Sequence, residues 1–237
     1  MKPAIVGHRG SPNIAPENTT PSFLKAIELG VNIVELDARL AGDGTIVVIH
    51  DESVNRTTNG SGLVKDLDIG QIKALDAGSW FSHAFKGTAI PTLEEALMSI
   101  DGRILTRIEL KDGGMEEMIP VLVRELGLVD KVQVASFELA RIKKFREICP
   151  RTPAVAISTA FNKGLLHSSI ESYANALAIL INRFSEADIF ETHVHGLTFD
   201  AWPVDDEALA RNLASFGIDS ITSNRPDVIL KSLNERF

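Results

Sequence analysis

Glu35 and Asp37 sit one residue apart in the stretch Val34-Glu35-Leu36-Asp37, among neighbours (Val31, Ile33, Leu40) that suit a β-strand. Side chains on a strand alternate faces, so the two carboxylates project from the same side. Left alone they repel and raise each other's pKa, and a shared cation or proton resolves the conflict. Glu109 and Lys111 repeat the spacing around Leu110. Carboxylate-only ligation by Glu35, Asp37 and Glu109 suits a hard divalent cation, Mg2+ or Ca2+, and not a zinc site built from sulfur and nitrogen. A histidine is expected beside them. Asp43-Gly44 reads as the two-residue turn of a hairpin, and counting outward pairs Gly42 with Thr45 and eventually Asp37 with His50. Directly opposed residues share a face, with Cβ atoms about 5 Å apart.

These residues need a scaffold that brings strand ends together. Ala4 to Gly7 reads as a buried strand delivering His8-Arg9-Gly10. A turn-rich loop and a helix follow, with Thr20 as expected N-cap, Pro21 at its first position and Gly30 closing it. Strand and helix patterns then alternate from Pro91 to the end, with strands expected at Ile104 to Leu110, Val132 to Ala135, Ala154 to Ile157, Leu177 to Ile181, Gly196 to Phe199 and Ile218 to Thr222. About eight strands, each followed by a helix, predict an α/β fold, a (β/α)8 TIM-type barrel. Residues 52–90 fit no repeat unit and read as a small cap inserted after His50, within a single domain spanning 1–237. A doubly wound sheet is the alternative, but no Gly-x-Gly-x-x-Gly follows the first strand.

Active groups of such barrels lie at the C-terminal ends of the strands. That filter selects His8, Arg9, Glu35, Asp37, Glu109, Lys111, Trp202 and Asn224, with His50 returned to the same rim by the hairpin. It rejects His193 and His195, which precede a strand, and leaves His83 and His167 as structural. Asp205-Asp206-Glu207 reads as the acidic start of a helix. With 237 residues, 44% of them hydrophobic, the chain can bury a full core. Its net charge of -8 argues against nucleic acid as a partner. No apolar run is long enough for an integral membrane segment. The N-terminus from Met1 becomes charged before a signal core forms, and the single cysteine, Cys149, fits a reducing compartment, so a cytoplasmic location is expected. The oligomeric state is not legible in the chain.

Taken together, Gly7-His8-Arg9-Gly10, Pro16-Glu17-Asn18-Thr19, Glu35-x-Asp37, Asp43-Gly44 before His50-Asp51, Arg56-Thr57-Thr58 with Gly60-x-Gly62, Gly78-Ser79-Trp80 and Glu109-x-Lys111 resemble the glycerophosphodiester phosphodiesterase family. The resemblance is dense from residue 5 to about 111. It implies a divalent cation held by Glu35, Asp37 and Glu109, His8 and His50 as general acid and base, and Arg9 and Lys111 as phosphate-binding cations. The implied reaction is metal-dependent hydrolysis of a glycerophosphodiester to an alcohol and glycerol 3-phosphate. Two alternatives stand beside it: a related phosphodiesterase acting on lysophospholipids, with Trp80, Phe81 and Phe85 lining an acyl groove instead of forming a core of their own, and a silent barrel that binds phosphodiesters without turnover. The family's usual Trp-Thr-Val-Asn is here Trp202-Pro203-Val204-Asp205, and Asn224 stands where an aspartate is usual. Trp202 is retained and expected to pack on glycerol or wall the pocket; the departures are expected to bear on substrate preference more than on chemistry.

Overall fold

The computed structural model describes residues 2–234; Met1 and 235–237, which the single-domain and N-terminal readings include, lie outside the described residues. In chain order the elements are β1 (Ala4–Gly7), α1 (Thr20–Leu29), β2 (Ile33–Leu40), β3 (Ile46–Val48), α2 (Ile69–Lys73), α3 (Leu93–Ile100), β4 (Leu105–Leu110), α4 (Met115–Glu125), β5 (Val132–Ser136) and α5 (Leu139–Ile148). They continue with β6 (Ala154–Ser158), α6 (Lys163–Glu171), β7 (Ala176–Leu180), α7 (Glu186–Val194), β8 (Thr198–Trp202), α8 (Glu207–Ser215), β9 (Ser220–Ser223) and α9 (Pro226–Asn234).

Eight of the strands are parallel, and β1 pairs with both β2 and β9, so the sheet closes into the TIM barrel expected from the alternation. Each strand divides its residues between two faces. Val34, Leu36, Ile108, Val134, Phe199 and Ile221 belong to the outer core under the helices, which forms the largest buried apolar cluster. Their neighbours point inward. On the β5 to β8 side these are Ala135, Val155, Ala176 and Ala178, with Ile157 and Trp202 packed against them. On the β2 and β4 side they are Glu35, Asp37, Arg107 and Glu109, and Arg107 forms a buried ion pair with Asp200 of β8 at 2.8 Å. The barrel is thus apolar on one inner wall and charged on the other, and the charged wall carries the functional candidates. No helix among the described residues is long and apolar enough to cross a membrane.

Two local expectations shift by one residue. Thr20 is the first residue of α1, and Thr19 takes the N-cap position with no side-chain cap bond, its hydroxyl donating instead to Pro16 O at 2.5 Å. Gly30 does close α1, in the left-handed conformation. The β2–β3 hairpin is built on three loop residues, not two: Ala41 N donates to Thr45 O at 2.9 Å, and Gly42, Asp43 and Gly44 form the loop, with Gly44 at φ 85°. The register therefore pairs Ala38 with Val48 and Leu40 with Ile46, and the Ile49 N–H donates to Asp37 O at 2.9 Å. Ile49, not His50, lies opposite Asp37. The loop is docked onto the segment that follows: Gly42 N donates to Leu67 O at 2.8 Å, and Asp43 accepts the N–H groups of Thr45 and Ile69, both at 3.0 Å.

Between β3 and α3 the chain folds over the side of the barrel around a small core of Ala41, Val47, Ile49, Val54, Val64, Ile72, Ala77 and Ile90. Trp80, Phe81 and Phe85 stand apart from it as an edge-to-face stack with ring centroids 5.8 and 5.6 Å apart. Gly78 is required there, because a Cβ would meet Phe85 O at 1.9 Å.

Candidate active site

At the end of β1 the chain turns sharply, with Gly10 N bonding Gly7 O at 3.1 Å and Arg9 held at φ 54°, a conformation that costs a residue with a side chain about 1 kcal/mol or more. Three bonds hold it: Arg9 N donates to Glu35 Oε2 at 2.7 Å, and Arg9 O accepts from Asn18 N at 3.1 Å and the Ser22 hydroxyl at 2.9 Å. The turn aims His8 and Arg9 at the carboxylates of β2. Parallel pairing of β2 with β4 sets Asp37 beside Glu109. Glu35, Asp37 and Glu109 then each offer an oxygen within 4.8 Å of the others.

Charges around this cluster are unequal. Asp37 is fully buried; its Oδ1 lies 3.1 Å from Lys111 Nζ and its Oδ2 lies 3.4 Å from Arg9 Nε and accepts from Asn18 Nδ2 at 2.7 Å. Burial alone would raise its pKa, but Lys111, Arg9 and the histidines outweigh this and hold it well below the usual carboxylate range. Glu35 is pushed up to about 8 by burial and by the neighbouring Asp37 charge. Glu109 is raised to about 7 by the same two causes, although Lys111 Nζ lies 2.6 Å from its Oε1. Glu35 Oε1 and Asp37 Oδ1 are buried without a hydrogen-bond partner, the Lys111 contact lacking hydrogen-bond geometry. Buried carboxylate oxygens without a hydrogen-bond donor, on residues that offer oxygens within 4.8 Å of one another, fit a hard cation.

The histidines flank the cluster. His8 Nε2 lies 4.0 Å from Glu35 Oε2, and burial and Arg9 lower its pKa. His50 reaches the same cavity although it is not the cross-strand neighbour of Asp37, because β3 ends at Val48 and Arg39 Nε holds His50 O at 2.8 Å. Its Nδ1 lies 2.7 Å from Asp51 Oδ1, and burial lowers its pKa despite Asp37 and Asp51. The cavity is lined by His8, Arg9, Glu35, His50, Glu109 and Lys111 on the polar side, and on the other by Phe137, Ile157, Ala178 and Trp202. Trp202 Nε1 donates to Ala178 O at 3.0 Å, which leaves its ring as the wall, edge-on to Phe137.

Of the residues singled out from sequence, His8, Arg9, Glu35, His50, Glu109, Lys111 and Trp202 line this cavity, while Asp37 and Asn224 lie behind it against Lys111 and His8. Glu17, Asn18, Asp51 and Arg56 around it carry no role in the sequence reading, and Asp205 carries a different one. Glu17 accepts from Arg9 Nη1 at 2.8 Å and from Arg56 at 2.8 and 2.9 Å, and Arg56 also binds Asp51. An ionic chain Arg9–Glu17–Arg56–Asp51–His50 thereby ties the cavity rim to the segment after β3. Asn18 orients Asp37 from both ends, accepting its N–H at 3.1 Å as well. Asp205 does not cap α8, a task that falls to Asp206; it accepts from Asn224. Glu17 and Asn18 lie in Pro16-Glu17-Asn18-Thr19 and Arg56 in Arg56-Thr57-Thr58, polar loops that follow β1 and β3, and that position is the signal that points to them. The two C-terminal departures meet each other directly, and Asn224 bonds His8, so they bear on the histidine as much as on the pocket wall. His193 pairs with Asp219, and His167 and His195 bond backbone carbonyls of their own helices, all away from the cavity.

Without a cation on the acidic cluster, the raised carboxylates make stability fall with pH. Glu35 and Glu109 keep protons in the folded state that they lose in the unfolded state from about pH 4.5 upward, so the folded state loses ground between there and pH 8. A cation must displace those protons, and its affinity rises over the same window. The expected result is a Tm rise on adding Mg2+ or Ca2+ that is close to nil at pH 5.5. At pH 8, with cation at a hundred times its Kd, it reaches about 2.7 kcal/mol, or roughly 5–10 °C. Scanning fluorimetry with and without chelator checks it; equal shifts at both pH values would contradict the assignment of these carboxylates.

The sequence matches the glycerophosphoryl diester phosphodiesterase family over residues 8–228. YhdW of Bacillus subtilis is 38% identical over 235 residues, covering 96% of both chains. A glycerophosphodiester phosphodiesterase of Caldanaerobacter subterraneus is 33% identical, covering 97% of both. Among solved structures, an Oleispira antarctica phosphodiesterase in complex with the product sn-glycerol-3-phosphate superposes with a TM-score of 0.90 at 29% identity, over 98% of this chain and 97% of that one. The glycerophosphodiester phosphodiesterase of Agrobacterium tumefaciens gives 0.85 at 33% identity, over 97% and 99%. With the barrel, the cavity at its strand ends and these relatives agreeing over nearly its whole length, the chain belongs to the glycerophosphoryl diester phosphodiesterase family of phosphoric diester hydrolases.

Proposed function

We propose that the protein hydrolyses glycerophosphodiesters to an alcohol and sn-glycerol 3-phosphate. The observation that carries this reading is the charge balance of the cavity. Once a divalent cation on Glu35, Asp37 and Glu109 has displaced their protons, the three carboxylates, the two cations Arg9 and Lys111 and the ion would sum to one positive charge, the complement of a phosphodiester monoanion. Oxygen-only donors favour Mg2+ or Ca2+. Such an ion supplies Lewis-acid polarisation of a phosphoryl oxygen. Arg9 and Lys111 meet the charge that builds on the phosphoryl oxygens in the transition state. One imidazole of the pair His8 and His50 takes the proton of the nucleophile as the new phosphorus–oxygen bond forms and the bond to the alcohol breaks, and the other protonates the departing alkoxide. The nucleophile is either water or the neighbouring glycerol hydroxyl, the latter on a route through a cyclic phosphate that water then opens. Trp202 offers an apolar face to the carbon skeleton of the substrate.

We read the chain as one barrel domain with residues 52–90 as a cap, tied to the rim through Arg56. Trp80, Phe81 and Phe85 do not line the cavity, which favours short polar diesters over lysophospholipids. The presence of both histidines and all three carboxylates favours turnover over silent binding. A buried cysteine in no disulfide supports the cytoplasm as location. The test is glycerol 3-phosphate release from glycerophosphocholine and glycerophosphoethanolamine with Mg2+, Ca2+ or chelator. Turnover that stops with chelator, and little or none on a lysophospholipid, is expected. Full activity in chelator would overturn the metal-dependent reading.

A further inference from the structure

Behind His8, on the side away from the carboxylates, runs a short chain of hydrogen bonds whose directions follow from one another. Asp205, in the turn after β8, accepts the Asn224 N–H at 2.7 Å and the Ser223 hydroxyl at 2.9 Å on Oδ1, and the Asn224 Nδ2 at 2.8 Å on Oδ2. Asn224 Oδ1 lies 2.6 Å from His8 Nδ1. An amide can face either way, and its orientation follows from its partners. An ionised carboxylate only accepts, so Asn224 must turn its NH2 to Asp205 and its carbonyl to His8. That carbonyl also only accepts, so His8 Nδ1 must carry hydrogen, and a neutral imidazole then has its lone pair on Nε2. Nε2 is the nitrogen on the side of Glu35, 4.0 Å from Oε2, in a residue that lines the cavity.

We propose that Asp205 and Asn224 are a positioning pair that fixes the proton of His8 on Nδ1 and keeps the Nε2 lone pair on the cavity, so that His8 is the proton acceptor of the acid/base pair. The proposal rests on the phosphodiesterase reading above. His50 has a different backing: its Nδ1 faces the carboxylate of Asp51, at 2.7 Å, a negative charge that works against the burial and favours the imidazolium a proton donor requires more than the neutral amide behind His8 does. Neither Asp205 nor Asn224 lines the cavity, so both act through His8. Val204, whose N–H bonds Thr222 O at 2.9 Å, clamps the Asp205 turn to β9 and holds the pair in register.

The test combines 15N NMR of histidine-labelled protein, with the His8 signals assigned by their loss in His8→Ala, and steady-state kinetics. Wild-type protein is expected to show His8 protonated on Nδ1 and bare on Nε2; a proton on Nε2 overturns the proposal without any variant. Asp205→Asn keeps the shape of the turn and frees the Asn224 amide to rotate. It is expected to move His8 partly or wholly to the Nε2-protonated form and to lower kcat about 10²-fold with KM within a few-fold. The exchange variant D205N/N224D places a carboxylate directly on His8 Nδ1 and an amide behind it, and is expected to restore both the Nδ1 proton and most of kcat. An unchanged His8 signature in Asp205→Asn, or a loss of kcat that the exchange does not recover, sinks the pair. Because NMR reads the proton without turnover, failure of the pair is distinguishable from failure of the phosphodiesterase reading, which shows as absent wild-type activity.

Discussion

His8→Ala and His50→Ala are each expected to lower kcat for glycerophosphocholine by about 10²- to 10⁴-fold, with little change in KM, because in the proposed mechanism each removes one proton transfer and neither anchors the phosphate. The double variant falls little below the worse single one, since both transfers belong to one displacement. The choice of leaving group separates the roles. A glycerophosphodiester whose leaving group is a nitrophenol needs no proton to depart, so on it His50→Ala recovers most of its rate and His8→Ala does not. The ratio of the two variants' kcat values on the natural and the nitrophenyl diester is the measurement. Recovery by His8→Ala instead would reverse the assignment of donor and acceptor. The physical ground is the asymmetry of the backing groups: a neutral amide carbonyl 2.6 Å from His8 Nδ1 and a carboxylate 2.7 Å from His50 Nδ1.

How far this site was legible in the sequence depended on what positions each residue. Glu35, Asp37 and Glu109 lie on regular parallel strands and Lys111 directly follows one, so period-2 alternation decides the face, and the pairing of Asp37 with Glu109 follows from adjacent strands of one barrel. His50 lines the same cavity as the carboxylates, although the two-residue turn expected from Asp43-Gly44 gives a register one residue away from the observed one. The Asp43-Gly44 signal does mark the turn, but Asp43 accepts from Ile69 and Gly42 bonds Leu67, so contacts more than twenty residues away select a three-residue loop. A Cβ at Gly42 would meet Lys65 O at 2.8 Å, which explains a glycine where the two-residue turn did not require one. Asn18, Glu17 and Asp205 belong to loops between strands, and no periodicity predicts where a loop side chain points. Asp205 was read as a helix start because Asp206 beside it is one; the two neighbours face different tasks.

Asp37 and Glu35 differ in how they anchor the charges of the site. Asp37→Asn and Glu35→Gln both remove a ligand of the proposed cation, and both are expected to abolish the metal-dependent Tm rise and to cut activity by roughly 10³-fold or more. Their effects on the metal-free fold should differ in sign. Asp37 faces two cations and its pKa is lowered, so it stabilises the fold at every pH above about 3.8, and that contribution is lost only as pH falls through its folded-state value. Replacing it at pH 8 leaves Arg9 and Lys111 facing a neutral amide in a buried site, at a cost of about 3–5 kcal/mol. This is a fall in Tm of roughly 6–20 °C for a chain of this size. Glu35 has the opposite linkage. Its pKa is raised to about 8, so its contribution declines as pH climbs from about 4.5 to 8, and a glutamine that still accepts the Arg9 N–H removes that decline. In chelator, Glu35→Gln is therefore expected to match or exceed wild type in Tm at pH 8 and to flatten the pH dependence below it. Thermal denaturation of the three proteins at pH 5.5 and 8 decides the matter. If the two variants lose stability equally, Asp37 is one ligand among three and not the anion that the barrel's buried cations are built around.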